Sequence, residues 1–236
     1  MSNSDNKDFY FGISDSKIYI CYFETKKNLI KSYVDFEIPD NLNNNLNFKI
    51  ISNLLKLNIR KLEKDLGFFL NKGNVSIKSE TYERILFSIR YMFDEKKLDE
   101  KAIANIVQSE VQYFRTLDER LSIIHLVINK YIIDDKVFNY LPTNMKFKKI
   151  ILEIEFICLS KKLIAKVRNL FKECKIDINK IVSFDYAKKF LESEEDPTMC
   201  LSANKIIGGA NSLEIRIQKD TPKKKSLFDT IFNFFD

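Results

Sequence analysis

The chain has 236 residues, 45% hydrophobic and 31% charged, with a formal net charge of +6. Such a composition excludes a disordered or fibrous chain, and a charge this modest, spread over the whole length, does not by itself point to nucleic acid. No apolar run approaches the roughly 20 residues needed to span a bilayer, and the polar start M-S-N-S-D-N-K-D lacks the positive flank and apolar run of a secretory signal.

Residues 9–14, 17–24 and 29–37 are rich in β-branched and aromatic residues and read as a three-stranded meander. Pro39 and the run N-L-N-N-N-L-N then break the pattern. Between Asn45 and Leu70 the spacing of Ile51, Leu54, Leu55, Ile59, Leu62, Leu66 and Phe69 predicts a helix. Gly73 introduces a strand, N-V-S-I-K. Two further helices are expected over Glu80–Phe93 and Asp99–Phe114, the second with Asp99 as N-cap.

Leu121–Ile133 is too β-branched for a helix and reads as a buried strand. In Lys148–Leu159, Leu152, Ile154 and Phe156 alternate with Glu153 and Glu155, the pattern of a strand with one wet face. Asp134-Asp135 before it reads as a turn. Ser160 caps a helix expected to reach Cys174, followed by a strand I-V-S-F and a helix Asp185–Leu191. Ser193–Pro197 reads as an acidic flexible segment and Leu213–Ile217 as a last strand. The fold class is α+β.

Chemistry is sparsely represented. The five glycines form neither G-x-G-x-x-G nor a P-loop; Gly208-Gly209 reads as a turn before the last strand. Cys21, Cys158, Cys174 and Cys200 form no C-x-x-C pair, and His125 is the single histidine, so no metal set is expected. Cysteines dispersed on apolar segments are expected as reduced core residues of a cytoplasmic protein. His125 lies in an apolar strand and is expected as a satisfied core residue, since no nucleophile or carboxylate partner is identifiable. Lys146, Lys148 and Lys149 flank Phe147, a patch narrower than nucleic-acid binding needs.

Over Arg120–Leu191 the chain resembles a known family. The segment R-L-S-I-I-H-L-V-I-N-K-Y-I-I-D-D-K-V-F-N-Y-L-P-T-N-M matches that family's pattern at His125, Tyr131, Asp134, Pro142 and Met145. The later I-D-I-N-K-I-V-S-F-D-Y-A-K-K-F-L is also similar. The family is the actin-like bacterial cell-division protein FtsA. The resemblance implies a partial actin-like (FtsA-type) subdomain carrying an SHS2 (strand-helix-strand-strand) module. On it the chain divides into an actin-like part at 1–72, the SHS2 module at 73–160, a return to the actin-like part at 161–218, and a linker with a C-terminal helix at 219–236.

The family's first turn, D-I-G-T-S-K-V, corresponds to G-I-S-D-S-K-I from Gly12 to Ile18. Its Asp falls on Gly12 and its Gly on Ser14. The carboxylate that organises Mg²⁺ and water there is missing, as are the second phosphate motif and the adenosine motif, so no ATP cofactor and no enzymatic activity are expected. The resemblance implies contacts with cell-division proteins, or a copy of itself, through the SHS2 surface around Leu141, Pro142, Met145 and Phe147. The FtsZ-binding subdomain of the family has no counterpart here, which leaves FtsZ an open partner. The alternative is a scaffold like PilM, an actin-family relative serving pilus or envelope assembly.

The C-terminal stretch K-K-K-S-L-F-D-T-I-F-N-F-F-D begins at Lys223. On a helix from Ser226, the residues Leu227, Phe228, Ile231, Phe232 and Phe235 form one apolar stripe. Such a helix is about 16 Å long, long enough to lie in a membrane interface and too short to cross. Lys223, Lys224 and Lys225 would each add about 1 kcal/mol beside an anionic leaflet. The expectation is a peripheral tether on the inner face of the cell membrane; packing on the chain's own core or in a partner's groove are the other readings of the same stripe.

Overall fold

The structure, a computed structural model, describes residues 7–24, 29–38, 48–97, 100–142, 146–192 and 197–215. The chain forms two compact units. Unit 1 comprises Met1–Thr81 and Lys162–Asn211; unit 2 comprises Tyr82–Lys161 and Ser212–Asp236. Mixed α/β architecture is present in unit 1 and unit 2 alike.

Unit 1 is built on one sheet. Strands β1 (Lys7–Ile13), β2 (Lys17–Glu24) and β3 (Leu29–Glu37) form the antiparallel meander. Strand β4 (Lys72–Ile77) pairs parallel with β1, and β9 (Asp177–Ser183) pairs parallel with β4, giving the order β3-β2-β1-β4-β9. A parallel neighbour needs a long crossover; helix α1 (Phe48–Leu66) lies in the first one. Its Ile51, Leu55, Ile59 and Leu62 recur at helical spacing and are at most 3% exposed. Gly67, left-handed at φ 74°, ends the helix with its N–H on the Glu63 carbonyl. Helix α3 (Lys161–Glu173) buries Val167, Leu170 and Phe171, and Phe171 meets Phe11 of β1 edge-on at 4.6 Å. Glu173 ties α3 to α1 by accepting from Ser52 Oγ at 2.6 Å and pairing with Lys56 at 3.1 Å. The unit closes with α4 (Phe184–Ala187), a 3₁₀ turn (Lys188–Phe190) and α5 (Thr198–Gly208).

Unit 2 is an antiparallel sheet with one helix. Its strands are β5 (Glu83–Lys97), β6 (Leu121–Ile133), β7 (Lys136–Phe138) and β8 (Lys146–Ser160), in the order β5-β8-β6-β7. Helix α2 (Glu100–Leu117) joins β5 to β6. Its Ile103, Ile106, Val107, Val111 and Phe114 form the unit's core with Leu126, Ile128, Leu152, Ile154 and Phe156. On β8 the alternation expected from the sequence holds: Lys130–Glu153 and Arg84–Glu155 are ion pairs at 3.2 and 3.3 Å on the wet face. Asp134 and Asp135 both have positive φ, as a tight hairpin turn requires. The Asp134 carboxylate also accepts from the backbone N–H groups of Lys148 and Lys149.

Two sequence expectations are corrected. Glu80–Phe93 is not a helix: β5 runs through it, because Ile85, Phe87, Ile89, Tyr91 and Phe93 alternate toward the core. Leu86 and Met92 on the other face supply the spurious helical spacing. The second correction is α5, in a stretch where no helix is expected. Met199, Cys200, Ser202, Ala203 and Ile206 are all buried, so its polar–apolar signal is weak. Gly208-Gly209 ends this helix, with Gly209 left-handed at φ 98°. Of the expected last strand, residues 213–215 are described: Glu214 bridges Val127, flanked by Ile128 N–H on Leu213 O and Ile215 N–H on Leu126 O; residues 216 and 217 lie outside the described residues. Asp99 and the segment 193–196 lie outside the described residues.

Candidate functional site

The turn between β1 and β2 is where the resemblance would place phosphate and metal. It closes on itself. Ser14 N–H and Ser14 Oγ both donate to the Lys17 carbonyl, at 2.9 and 3.0 Å, and Lys17 N–H donates to Ser14 Oγ at 2.9 Å. Ser14 and Lys17 are thus engaged with each other, while the Ser16 carbonyl accepts from Ile38 N–H at 2.7 Å. Beside it, α5 lies against Gly12. A Cβ on Gly12 would fall 2.8 Å from Met199 Cβ and 3.2 Å from a Tyr19 ring carbon. The first is closer than side chains tolerate, and the second requires the ring to shift by a few tenths of an ångström. A carboxylate at position 12 thus has no room while α5 is in place.

Opposite Gly12 in the β1–β4 pairing stands Ser76, fully buried, with its hydroxyl unpartnered among the described residues. One neutral hydroxyl does not replace a carboxylate toward Mg²⁺. The residues present do not fit a magnesium–nucleotide group at this turn. Among the described residues no three His, Cys, Asp or Glu side chains converge as a metal set.

The thiols are not arranged for catalysis either. Cys21, Cys158 and Cys200 are buried, Cys174 is half-buried, and all four are free. Burial pushes the Cys158 thiol up to about 12 and the Cys174 thiol up to about 11. Burial raises Cys21 further. A nucleophilic cysteine needs the opposite shift.

His125 has a carboxylate partner that the sequence did not reveal. Its Nδ1 lies 2.6 Å from Glu214 Oε1, and the side chains are 3% and 9% exposed. The two residues are far apart in the chain and meet only because Leu213–Ile215 pairs along β6. No signal in the sequence marks Glu214, which sits in an ordinary-looking L-E-I-R-I alternation. The pair holds the start of the C-terminal segment to the sheet of unit 2.

The contact residues expected from the resemblance separate. Phe147 is a core residue, 2% exposed, stacked edge-on with Phe93 at 5.0 Å; as an inward position on β8 it is not available to a partner. Leu141 is half-buried and packs on the same core, and Pro142 is half-buried. Met145 lies outside the described residues. Val137 and Tyr140 nearby are 61% and 67% exposed, more than Leu141, Pro142 or Phe147. The membrane-binding residues Lys223, Lys224, Lys225, Leu227, Phe228, Ile231, Phe232 and Phe235 also lie outside the described residues. Among the described residues no helix is long and apolar enough to cross a membrane.

No protein-family model matches the chain, and no curated protein matches it. Among solved structures it is similar to a PilM-PilN type IV pilus biogenesis complex chain, at 11% identity and a TM-score of 0.43, over 79% of this chain and 50% of that one. It is similar to the cytoplasmic domain of EpsL, an inner membrane component of the type II secretion system of Vibrio cholerae. That match has 8% identity and a TM-score of 0.37, over 77% of this chain and 57% of that one. A third match is a Bacteroides thetaiotaomicron protein with an actin-like ATPase fold and unknown function, at 12% identity and a TM-score of 0.32, over 79% and 56%. The chain thus spans about half the length of the solved structures it matches. At this identity and TM-score, the likenesses carry no role over to this chain.

Proposed function

We propose that the chain is a non-catalytic, actin-type scaffold that holds partner proteins at a membrane surface. The observation that supports this reading is the turn at Gly12–Lys17, where the Met199 Cβ leaves no room for a side chain on Gly12 and Ser14 and Lys17 bond to each other. The order of the sheet in unit 1 supports it: an antiparallel meander continued by two parallel strands is the arrangement of an actin-type subdomain. The residues of unit 2 between Tyr82 and Lys161 interrupt unit 1 in sequence, as an inserted partner-binding module does.

In its finer form this is an FtsA-like cell-division adaptor. Its SHS2-like unit binds division proteins near Leu141 and Pro142, and its C-terminal stripe from Leu227 to Phe235 lies in the inner face of the cell membrane. The Arg120–Leu191 pattern and the lysines before the stripe support that form. Calorimetric titration of the full chain with magnesium–ATP tests the non-catalytic reading. No heat of binding is expected up to millimolar nucleotide; saturable micromolar binding would overturn it. Partners recovered by crosslinking in cells then separate a division role from envelope assembly.

A further inference from the structure

The described sheets have four edges, and three of them are protected against pairing with another chain. Strand β3 is studded with charge: Lys31 pairs with Glu24 at 2.8 Å and Asp35 with Lys17 at 3.3 Å. Strand β7 is only 3 residues long. On β9, the Arg168 guanidinium donates to the Ile178 carbonyl at 3.0 Å. Strand β5 has such devices only at its far end, where its pairing with β8 is irregular between Met92 and Lys96 and the sequence closes on Lys96-Lys97; from Glu83 to Met92 it has none. It is 15 residues long, with neither Pro nor Lys between Glu83 and Phe93. Its Leu86 and Met92 are 71% and 69% exposed. Its core-facing Ile85, Phe87, Ile89 and Tyr91 are only half-buried, whereas Leu152, Ile154 and Phe156 on neighbouring β8 are fully buried. The core is left partly open along this flank.

We propose that β5 is the contact strand of a symmetric dimer, pairing antiparallel with β5 of a second copy of this chain about a two-fold axis at Ile89. The strand is complementary to itself in that register. Leu86 stands opposite Met92, so the two most exposed apolar side chains of the strand cover each other. Phe87 stands opposite Tyr91, Ser88 opposite Arg90, and Ile89 opposite itself. Each residue meets one from the same face of the pleat, so core-facing residues meet core-facing residues. No described cation faces a cation. Directly opposed side chains sit about 4.5–5.5 Å apart at Cβ, and a two-fold axis repeats every pair, as an isologous contact requires. Two four-stranded sheets become one continuous sheet. This inference does not rest on the membrane reading, although a dimer would carry two C-terminal stripes and bind a surface more firmly.

Sedimentation of the full chain without lipid, over a wide concentration range, tests it. The wild-type chain is expected to dimerise. Leu86→Lys with Met92→Lys places ammonium groups opposite each other at both symmetric pairs and is expected to weaken the dimer at least about tenfold. Leu86→Lys with Met92→Glu places opposite charges across the same pairs and is expected to restore it. All these positions are exposed in the single chain, and circular dichroism checks that each variant is folded. A monomeric wild type, a dimer indifferent to the double-lysine change, or a charge-swapped variant that stays apart would each overturn the proposal.

Discussion

At the level of single residues, the most informative groups are those whose partners are distant in sequence. Removing Glu214 by Glu214→Ala takes away the acceptor at His125 Nδ1. Loss of a buried charged hydrogen bond costs about 1–3 kcal/mol. Unfolding in denaturant should show a loss of that size, with amide exchange rising first at Leu213 and Ile215, whose backbone bonds depend on the same contact. Gly12→Ala is expected to cost about 1–3 kcal/mol by overpacking against Met199. Met199→Ala, placed with it, should not recover the loss, because the 2.8 Å contact is with the Met199 Cβ, which alanine keeps.

Asp118 gives a pH-dependent test. Side-chain and backbone hydrogen bonds from Arg120 hold its carboxyl down at about 2. A carboxyl lowered in the folded state contributes stability that is present above its ordinary value and is lost as pH falls toward 2. The stability difference between wild type and Asp118→Asn should therefore be present at neutral pH and vanish in acid. A difference that grows on acidification would contradict the assignment. Gly12, His125 and the cysteines were legible as positions from the sequence. What closes around them was not, because Met199 and Glu214 reach them through tertiary structure alone.

At the level of elements, α1, α2 and β8 were readable because each buries one face and leaves the other wet, so period and composition agree, whereas β1 and β6, buried on both faces, were readable from their β-branched and aromatic composition. Strand β5 failed that test because its solvent face also carries Leu86 and Met92. The same two residues that disguise it as a helix are those that mark it as a contact strand. Helix α5 failed for the opposite reason: it is buried on most sides, and its eleven residues offer little polar contrast. Substituting its interior tests its role in closing the turn at Gly12. Ala203, which is fully buried, should not accept a larger residue: Ala203→Leu is expected to cost about 1–3 kcal/mol, read as a lowered denaturation midpoint with an unchanged slope.

At the level of the whole molecule, the chain joins a five-stranded sheet with a crowded turn at Gly12, a second unit built on its own core, and a C-terminal sequence with an apolar stripe beside three lysines. In the scaffold proposed above, the stripe is the part that gives it a location. Burying its side chains in an interface is worth up to about 1.5–3 kcal/mol each, and the lysines add an attraction that salt screens. The most direct measurement is co-sedimentation with liposomes of the full chain beside a chain ending at Pro222, with and without anionic lipid and at low and high salt. The account predicts that only the full chain pellets, that it needs anionic lipid, and that salt releases it. A full chain that stays in the supernatant with every lipid, or a shortened chain that pellets equally well, would contradict it.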